Sequence, residues 1–184
     1  MIPLKTNRLL IRTFKGSDWE CLLEMIIQYE SSPLAKFDQQ WPTSAEEIKA
    51  VAEWFASGDC FLAVTLKENS QFIGFVALNP EGEDSQEYNL GYVFNANYHS
   101  QGYATEACQA VLSHAFGPLQ AHRVVTGTAA ANQASCRLLE RLGFQKTGEG
   151  TSSFWTGEDG EPIDFLGYQF ALTREEWEKA FTPK

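Results

Sequence analysis

With 184 residues, 43% of them apolar and 21% charged, the chain can bury a sizeable core, and residues 1–184 are expected to form a single soluble domain. A formal charge of −10 argues against general nucleic-acid binding, and no apolar run approaches the roughly 20 residues of a membrane span. Four scattered cysteines, three histidines without a shared ligand spacing and an opening (Met1–Thr6) unlike a leader point to a reducing, cytoplasmic setting and to no structural metal.

Leu9–Thr13 reads as a first strand. Ser17-Asp18-Trp19-Glu20 has the spacing of a capping box, and Leu22, Leu23, Ile26 and Ile27 give the helix after it an apolar face. Glu30 to Thr43, with Pro33, Phe37, Trp41 and Pro42, reads as a long irregular loop of the kind that often carries function. Ser44 with Glu47 starts a second helix, striped by Ile48, Val51, Ala52 and Phe55. Phe61–Leu66 and Phe72–Leu78 read as a hairpin, and Glu87–Phe94 completes an antiparallel meander.

A central helix follows. Its Ala104, Ala107, Cys108, Val111, Leu112, Ala115 and Phe116 share one face until Gly117-Pro118 stops it. Arg123–Thr128 is the next strand, which makes a βαβ unit with a right-handed crossover and parallel strands. Asn132 caps a helix carrying Ala134, Ser135, Leu138, Leu139 and Leu142, closed by Gly143 with Phe144 as its apolar contact. Phe144–Gly148 reads as a short strand, Glu149–Pro162 as a loop or long hairpin, and Ile163–Leu172 as the last strand. Thr173 with Glu176 caps a final helix. The expected fold is α/β (α+β): a mixed, mostly antiparallel twisted sheet of about seven strands with helices on both faces. Its fourth and fifth strands are parallel.

The chemistry concentrates at Gln101-Gly102-Tyr103-Ala104-Thr105, where strand and turn become helix. The first N–H groups of a helix have no intrahelical partner and carry partial positive charge. Gly102 and the small Ala104 let a ligand approach the backbone. Such an end suits a phosphate or pyrophosphate; an ordinary turn glycine before a helix is the other reading of these residues.

Two stretches now stand in order: Gly91-Tyr92 … Gln101-Gly102-Tyr103-Ala104-Thr105-Glu106-Ala107, and Asn132-Gln133-Ala134-Ser135 … Leu138-Leu139 … Leu142-Gly143-Phe144. Together they resemble the GCN5-related N-acetyltransferase (GNAT) superfamily, and more narrowly its branch of ribosomal-protein N-terminal alanine/serine acetyltransferases. Asn7-Arg8-Leu9-Leu10-Ile11-Arg12 and Glu175-Glu176-Trp177 extend the likeness over nearly the whole chain.

The resemblance implies the GNAT fold, with acetyl-CoA as co-substrate held where the two parallel strands splay. It puts the diphosphate on the helix start at Gln101–Thr105 and the pantetheine arm on the backbone of Val93 and Phe94 and on the Asn132 side chain. Arg137, with Arg141, comes within reach of the adenosine phosphate, or else belongs to a solvated face. It implies direct attack by a primary amine, with a backbone N–H near Val93 or Phe94 as oxyanion donor. Ser135 matches a serine of this branch and is the candidate proton donor to the thiolate, packing or a local backbone bond being the alternative.

Two departures stand out. His99-Ser100 opens the loop where Arg or Gln is common at the first position. Asn89 stands where many relatives carry Glu, which leaves Glu87, on the same strand face, as a candidate catalytic carboxylate or a plain surface residue; Glu149 is a further candidate. The acceptor is expected to be a protein N-terminus or a small amine such as a polyamine, amino sugar or antibiotic. A non-catalytic acyl-CoA sensor is the rival reading. Gln28–Trp41 and Glu149–Pro162 are expected to build the acceptor pocket, with walls from Phe37, Trp41, Phe154 and Trp155 and acids from Glu158, Asp159 and Glu161. A monomer and a homodimer are both consistent with the sequence.

Overall fold

Leu62, Val64 and Leu66 face one side of their strand and Ala63 the other, and all four are buried. Phe72 to Leu78 is almost wholly apolar and is buried along its length. Strands of this kind belong in the middle of a sheet covered on both faces. The computed structural model, which describes residues 3–82, 86–157 and 159–181, has that arrangement.

In chain order the elements are β1 (Leu4–Lys5), β2 (Leu9–Thr13), α1 (Trp19–Glu30), α2 (Ala45–Ala56), β3 (Phe61–Leu66), β4 (Phe72–Pro80), β5 (Glu87–Phe94), α3 (Tyr103–Phe116), β6 (Arg123–Ala129), α4 (Gln133–Arg141), β7 (Gln145–Thr156), β8 (Pro162–Thr173) and α5 (Arg174–Phe181). The strands form a single sheet in the order β1-β2-β3-β4-β5-β6-β8-β7. Its β5–β6 pair is parallel and the other pairs are antiparallel.

One face is covered by α3, α4 and α5 through Val111, Leu112, Phe116, Leu139, Leu142 and Trp177. The opposite face is covered by α1 and α2. There Leu22, Ile26, Ile48 and Phe55 surround Phe14, Phe72 and Phe75, and Phe55 stacks on Phe61 at 3.8 Å. No helix among the described residues is long and apolar enough to cross a membrane.

Two expectations are corrected. Among the described residues the sheet has eight strands, because the short β1 pairs with β2. Of the two readings of Glu149–Pro162, the long hairpin is the one that forms, and β7 runs twelve residues against β8. It is an edge strand exposed on both faces, so it carries no apolar alternation to read. At α1 the organising residue is Asp18, not Ser17. Its carboxylate takes both Nη groups of Arg12, at 2.7 and 2.8 Å, and the Lys15 N–H at 2.8 Å.

The other caps form as the sequence predicts. Ser44 accepts the Glu47 N–H, Asn132 accepts the Ser135 N–H, and Thr173 and Glu176 exchange hydrogen bonds. Past α4, Gly143 N–H bonds to Glu140 O and Phe144 N–H to Leu139 O, the paired closure that a left-handed residue allows.

Candidate active site

Beside β4, hydrogen bonds join Asn95 N–H to Ile73 O and Glu81 N–H to Glu87 O. Both follow the register that sets Val93 opposite Phe75. In an antiparallel ladder every second residue then turns both backbone groups to the same neighbour. Residues 87, 89, 91, 93 and 95 therefore bond to β4, and Tyr88, Leu90, Tyr92 and Phe94 turn theirs toward β6. The same reasoning on β6 and β8, from Arg174 N–H on His122 O and Ala130 N–H on Leu166 O, directs Gly127 and Ala129 toward β5.

The β5–β6 pairing runs only from Glu87↔Arg123 to Asn89↔Val125. Beyond it the buried Thr126 hydroxyl takes Leu90 O at 2.7 Å, the carbonyl that a continuing ladder would give to Gly127 N–H. From there the strands part. The N–H and C=O of Tyr92 and the N–H of Phe94 line one side of the gap, and Gly127 lines the other. His99 Nε2 lies 2.9 Å from Phe94 O; a carbonyl only accepts, so this ring nitrogen donates. Gly74 makes room for the Phe94 ring, which a Cβ there would meet at 2.6 Å. The expectation for Val93 is thereby corrected: its backbone groups serve the β4 ladder, and Tyr92 stands with Phe94 at the gap.

At the end of this gap α3 begins. Gly102 is its N-cap at φ +81, a conformation costly for residues with a Cβ, and Ser100 before it also has positive φ (59). The first helical N–H bond is Glu106 N–H to Gly102 O. The N–H groups of Tyr103, Ala104 and Thr105 precede it and belong to the unpaired first turn. The Gln101 side chain bonds to Asn97 O, and its carbonyl accepts from Arg8 Nη1 at 3.0 Å. A Cβ on Gly102 would clash with nothing nearer than Arg8 at 3.4 Å, so the turn is open on its outer side.

Glu106, in the first turn of α3, accepts from the Thr6 hydroxyl (2.6 Å), the Arg8 N–H (2.9 Å) and Arg8 Nε (2.7 Å). Burial pushes its pKa up, but these three donors outweigh burial and hold it below the ordinary value. Its contribution to stability is full above the unfolded value near ~4.3 and is lost as pH falls through the lower folded value. Melting curves of the native chain and Glu106→Gln should differ most near neutrality and converge below about pH 4. A gap between the two curves that stays constant down to about pH 3 contradicts this account of the carboxylate.

On α4 the Asn132 amide oxygen accepts the Ser135 N–H at 3.1 Å. Ser135 Oγ lies 2.7 Å from the Tyr92 hydroxyl, which joins α4 to β5 at the gap. Burial raises the Tyr92 pKa far above its ordinary value, so this hydroxyl stays protonated. Arg137 and Arg141 are exposed on the outer side of α4.

Glu87 is not brought to this end. It sits at the start of β5, about 23 Å along the strand from Phe94, and its carboxylate pairs with Arg123 Nη1 at 2.9 Å. The catalytic expectation for Glu87 is corrected accordingly. Glu149 pairs with Lys146 Nζ at 2.6 Å on the exposed β7 edge.

The chain from Gln28 to Asp38 links the end of β5 to β7 and β8. On the β5 side, Gln28 of α1 accepts the Ala96 N–H at 3.2 Å, just past the end of β5. On the β6 side, the Trp155 indole donates to Asp38 O at 2.8 Å and Phe37 meets Phe165 edge-on at 5.4 Å. The Tyr29 hydroxyl donates to the Asp38 carboxylate at 3.0 Å. Of the expected walls, Phe37 and Trp155 meet here. Phe154 is exposed and leans on Phe165, and Trp41 packs into the α2 side against Phe55 and Phe75. Asp159 accepts the Glu161 N–H within the β7–β8 turn, and Glu158 lies outside the described residues.

The family profile described as "Acetyltransferase (GNAT) domain" matches residues 8–145. The chain belongs to the GNAT acetyltransferase family. It is 28% identical over 176 residues to the uncharacterized N-acetyltransferase YnaD of Bacillus subtilis, covering 95% of this chain and 98% of YnaD. The crystal structure of a GNAT-family acetyltransferase from Bacillus anthracis superposes with a TM-score of 0.80 at 25% identity, covering 95% and 99% of the two chains. The ribosomal-protein-S5-alanine acetyltransferase of Vibrio fischeri shares the fold, with a TM-score of 0.78 at 17% identity over 96% and 99%.

This GNAT chain is therefore an acyl-CoA-dependent N-acetyltransferase with a mixed sheet splayed at its parallel pair. Tyr92 and Arg8 stand inside the sequence motifs, yet nothing local assigns a role to either. Their partners, Ser135 and Glu106, are 43 and 98 residues away, and no local pattern announces such pairings.

Proposed function

We propose that this GNAT chain transfers the acetyl group of acetyl-CoA to a primary amine by direct attack, and that a protein N-terminal α-amine is the preferred acceptor. One observation carries the reading: the free edge of Tyr92 and Phe94 leads straight to the unpaired amides of Tyr103, Ala104 and Thr105. An extended arm can add to that edge as a strand does, while its diphosphate meets the helix start. The open outer side of Gly102 fits a bulky anion. The Phe94 N–H, turned to the gap, supports an oxyanion, a role worth about 2.7–4 kcal/mol in other enzymes. Ser135 stands ready to protonate the leaving thiolate, and the amide nitrogen of Asn132 is left to the pantetheine while its oxygen caps α4.

The acceptor assignment rests on proton chemistry. Both carboxylates that the sequence nominates are engaged in ion pairs, Glu87 with Arg123 at the start of β5 and Glu149 with Lys146 on β7. An acceptor that arrives neutral needs no strong base. At about pH 7.5 roughly a third of α-amines are neutral, against about 0.1% of lysine side chains. The aromatic strap, Phe37 with Phe165 and Trp155, supports a chain-like acceptor lying along it. The single continuous sheet supports reading residues 1–184 as one domain, and the four free cysteines suit the cytoplasm.

The test is CoA release with a panel of amines. Peptides with a free Ala or Ser N-terminus should be turned over. N-terminally blocked peptides bearing lysine, polyamines and amino sugars should react at least about tenfold more slowly. Turnover confined to a polyamine or amino sugar overturns the acceptor assignment, and none with any amine overturns the transferase reading of this site.

A further inference from the structure

Glu106 poses a problem for a diphosphate at the start of α3. A first-turn carboxylate favours the helix but opposes a second anion there. The turn His99–Thr105 contains no Lys or Arg to offset it. Arg8, 98 residues earlier, supplies the missing charge: its Nε and backbone N–H both bind the Glu106 carboxylate. The same guanidinium then runs on along the turn. Nη1 donates to Gln101 O at 3.0 Å, the central carbon lies 4.3 Å from the Tyr103 ring centroid, and Nη2 stands 3.4 Å from where a Gly102 Cβ would be.

We propose that Arg8 is a positioning residue for the diphosphate of acetyl-CoA, an inference that rests on the reading of the α3 start given above. It acts in two ways. It neutralises Glu106, so that the helix start presents net positive charge. It also holds the Gln101 carbonyl at 3.0 Å; in a trans peptide the C=O and N–H point opposite ways, so the Gly102 N–H is turned away from Arg8. Arg suits this task because its fork reaches a carboxylate and a carbonyl at once, which a lysine ammonium cannot do with fixed geometry. Its side chain is 41% exposed, so the pair adds little to stability and its value lies in binding.

The test compares two ligands, acetyl-CoA and acetyl-pantetheine, which share the reactive arm and differ in the diphosphate. Arg8→Ala should weaken acetyl-CoA by about tenfold to a hundredfold and leave acetyl-pantetheine within about twofold, with a small change in Tm. Arg8→Lys, which keeps the charge and the fold, should lose about threefold to tenfold on acetyl-CoA alone. Arg8→Ala combined with Glu106→Gln should recover part of the lost acetyl-CoA affinity, because the opposing carboxylate is gone. Equal weakening of both ligands, or unchanged acetyl-CoA binding in both Arg8 variants, overturns the proposal and leaves Arg8 as an anchor of the N-terminal segment. A native chain that binds both ligands equally well contradicts instead the diphosphate reading of the helix start, so the two failures are distinguishable.

Discussion

Replacing Gly102 by Asp should weaken acetyl-CoA binding by about a hundredfold and leave the fold in place. Gly102 holds φ +81 at the N-cap of α3, next to the amides of Tyr103, Ala104 and Thr105. Asp tolerates left-handed geometry better than most residues and is a favourable N-cap type, so strain and capping largely cancel. A Cβ at this position would meet only Arg8, at 3.4 Å. The added carboxylate would lie about 4 Å from the phosphates expected at those amides. At an effective dielectric of about 20, two unit charges at that distance repel by about 4 kcal/mol, and exposure reduces this to about 2–3. Each factor of ten in affinity corresponds to about 1.4 kcal/mol. Gly102→Ala separates strain from charge and should cost less than about tenfold. Titrations of acetyl-CoA with circular dichroism on the same samples read both quantities. Unchanged affinity in folded Gly102→Asp would remove the helix start from the binding site.

Ser135→Ala should lower kcat by about a hundredfold with the KM for acetyl-CoA within about threefold, the lower end of what positioned proton transfer contributes. The geometry behind this is the 2.7 Å contact of Ser135 Oγ with the Tyr92 hydroxyl. Tyr92 is partly buried and stays protonated, which makes it a poor source of the transferred proton. Either hydroxyl can donate in this contact, and in the arrangement where Tyr92 donates, the Ser135 proton points into the gap. Tyr92→Phe should therefore cost kcat less than Ser135→Ala does, about tenfold, and leave the alkaline limb of the pH profile where it was. Steady-state kinetics across pH check both variants. Native kcat in Ser135→Ala would reduce Ser135 to a packing partner of Tyr92.

The periodic parts of the fold were legible. The stripes of α2 and α3 and the caps at Ser44, Asn132 and Thr173 are local, so three or four neighbouring residues determine them. The length of the edge strand β7 stayed open between loop and hairpin because both of its faces are exposed and only its partner β8 makes it a strand. At α1 the local capping pattern lost to Arg12, which reaches Asp18 from β2 with a two-pronged ion pair.

The turn at Gly102 was legible as a helix start for the same reason the caps were: Gly102 and its helix are contiguous. The edge that faces the gap was not. Alternation along Glu87–Phe94 says which face a side chain takes, but the direction of the backbone groups depends on the register with β4. That register moves the free edge from Val93 to Tyr92 and Phe94. Glu87 shows the same limit. Its strand face could be read, yet its distance from the gap follows from where β5 and β6 separate, which Thr126 fixes from another strand.

A crystal structure with acetyl-CoA tests the central claim most directly. The account predicts diphosphate oxygens within about 2.7–3.2 Å of the amides of the first turn of α3, with a pantetheine amide paired to Tyr92 or Phe94 in the gap. Phosphates lodged away from Gly102, or an arm that leaves the Tyr92–Phe94 edge free, would contradict it.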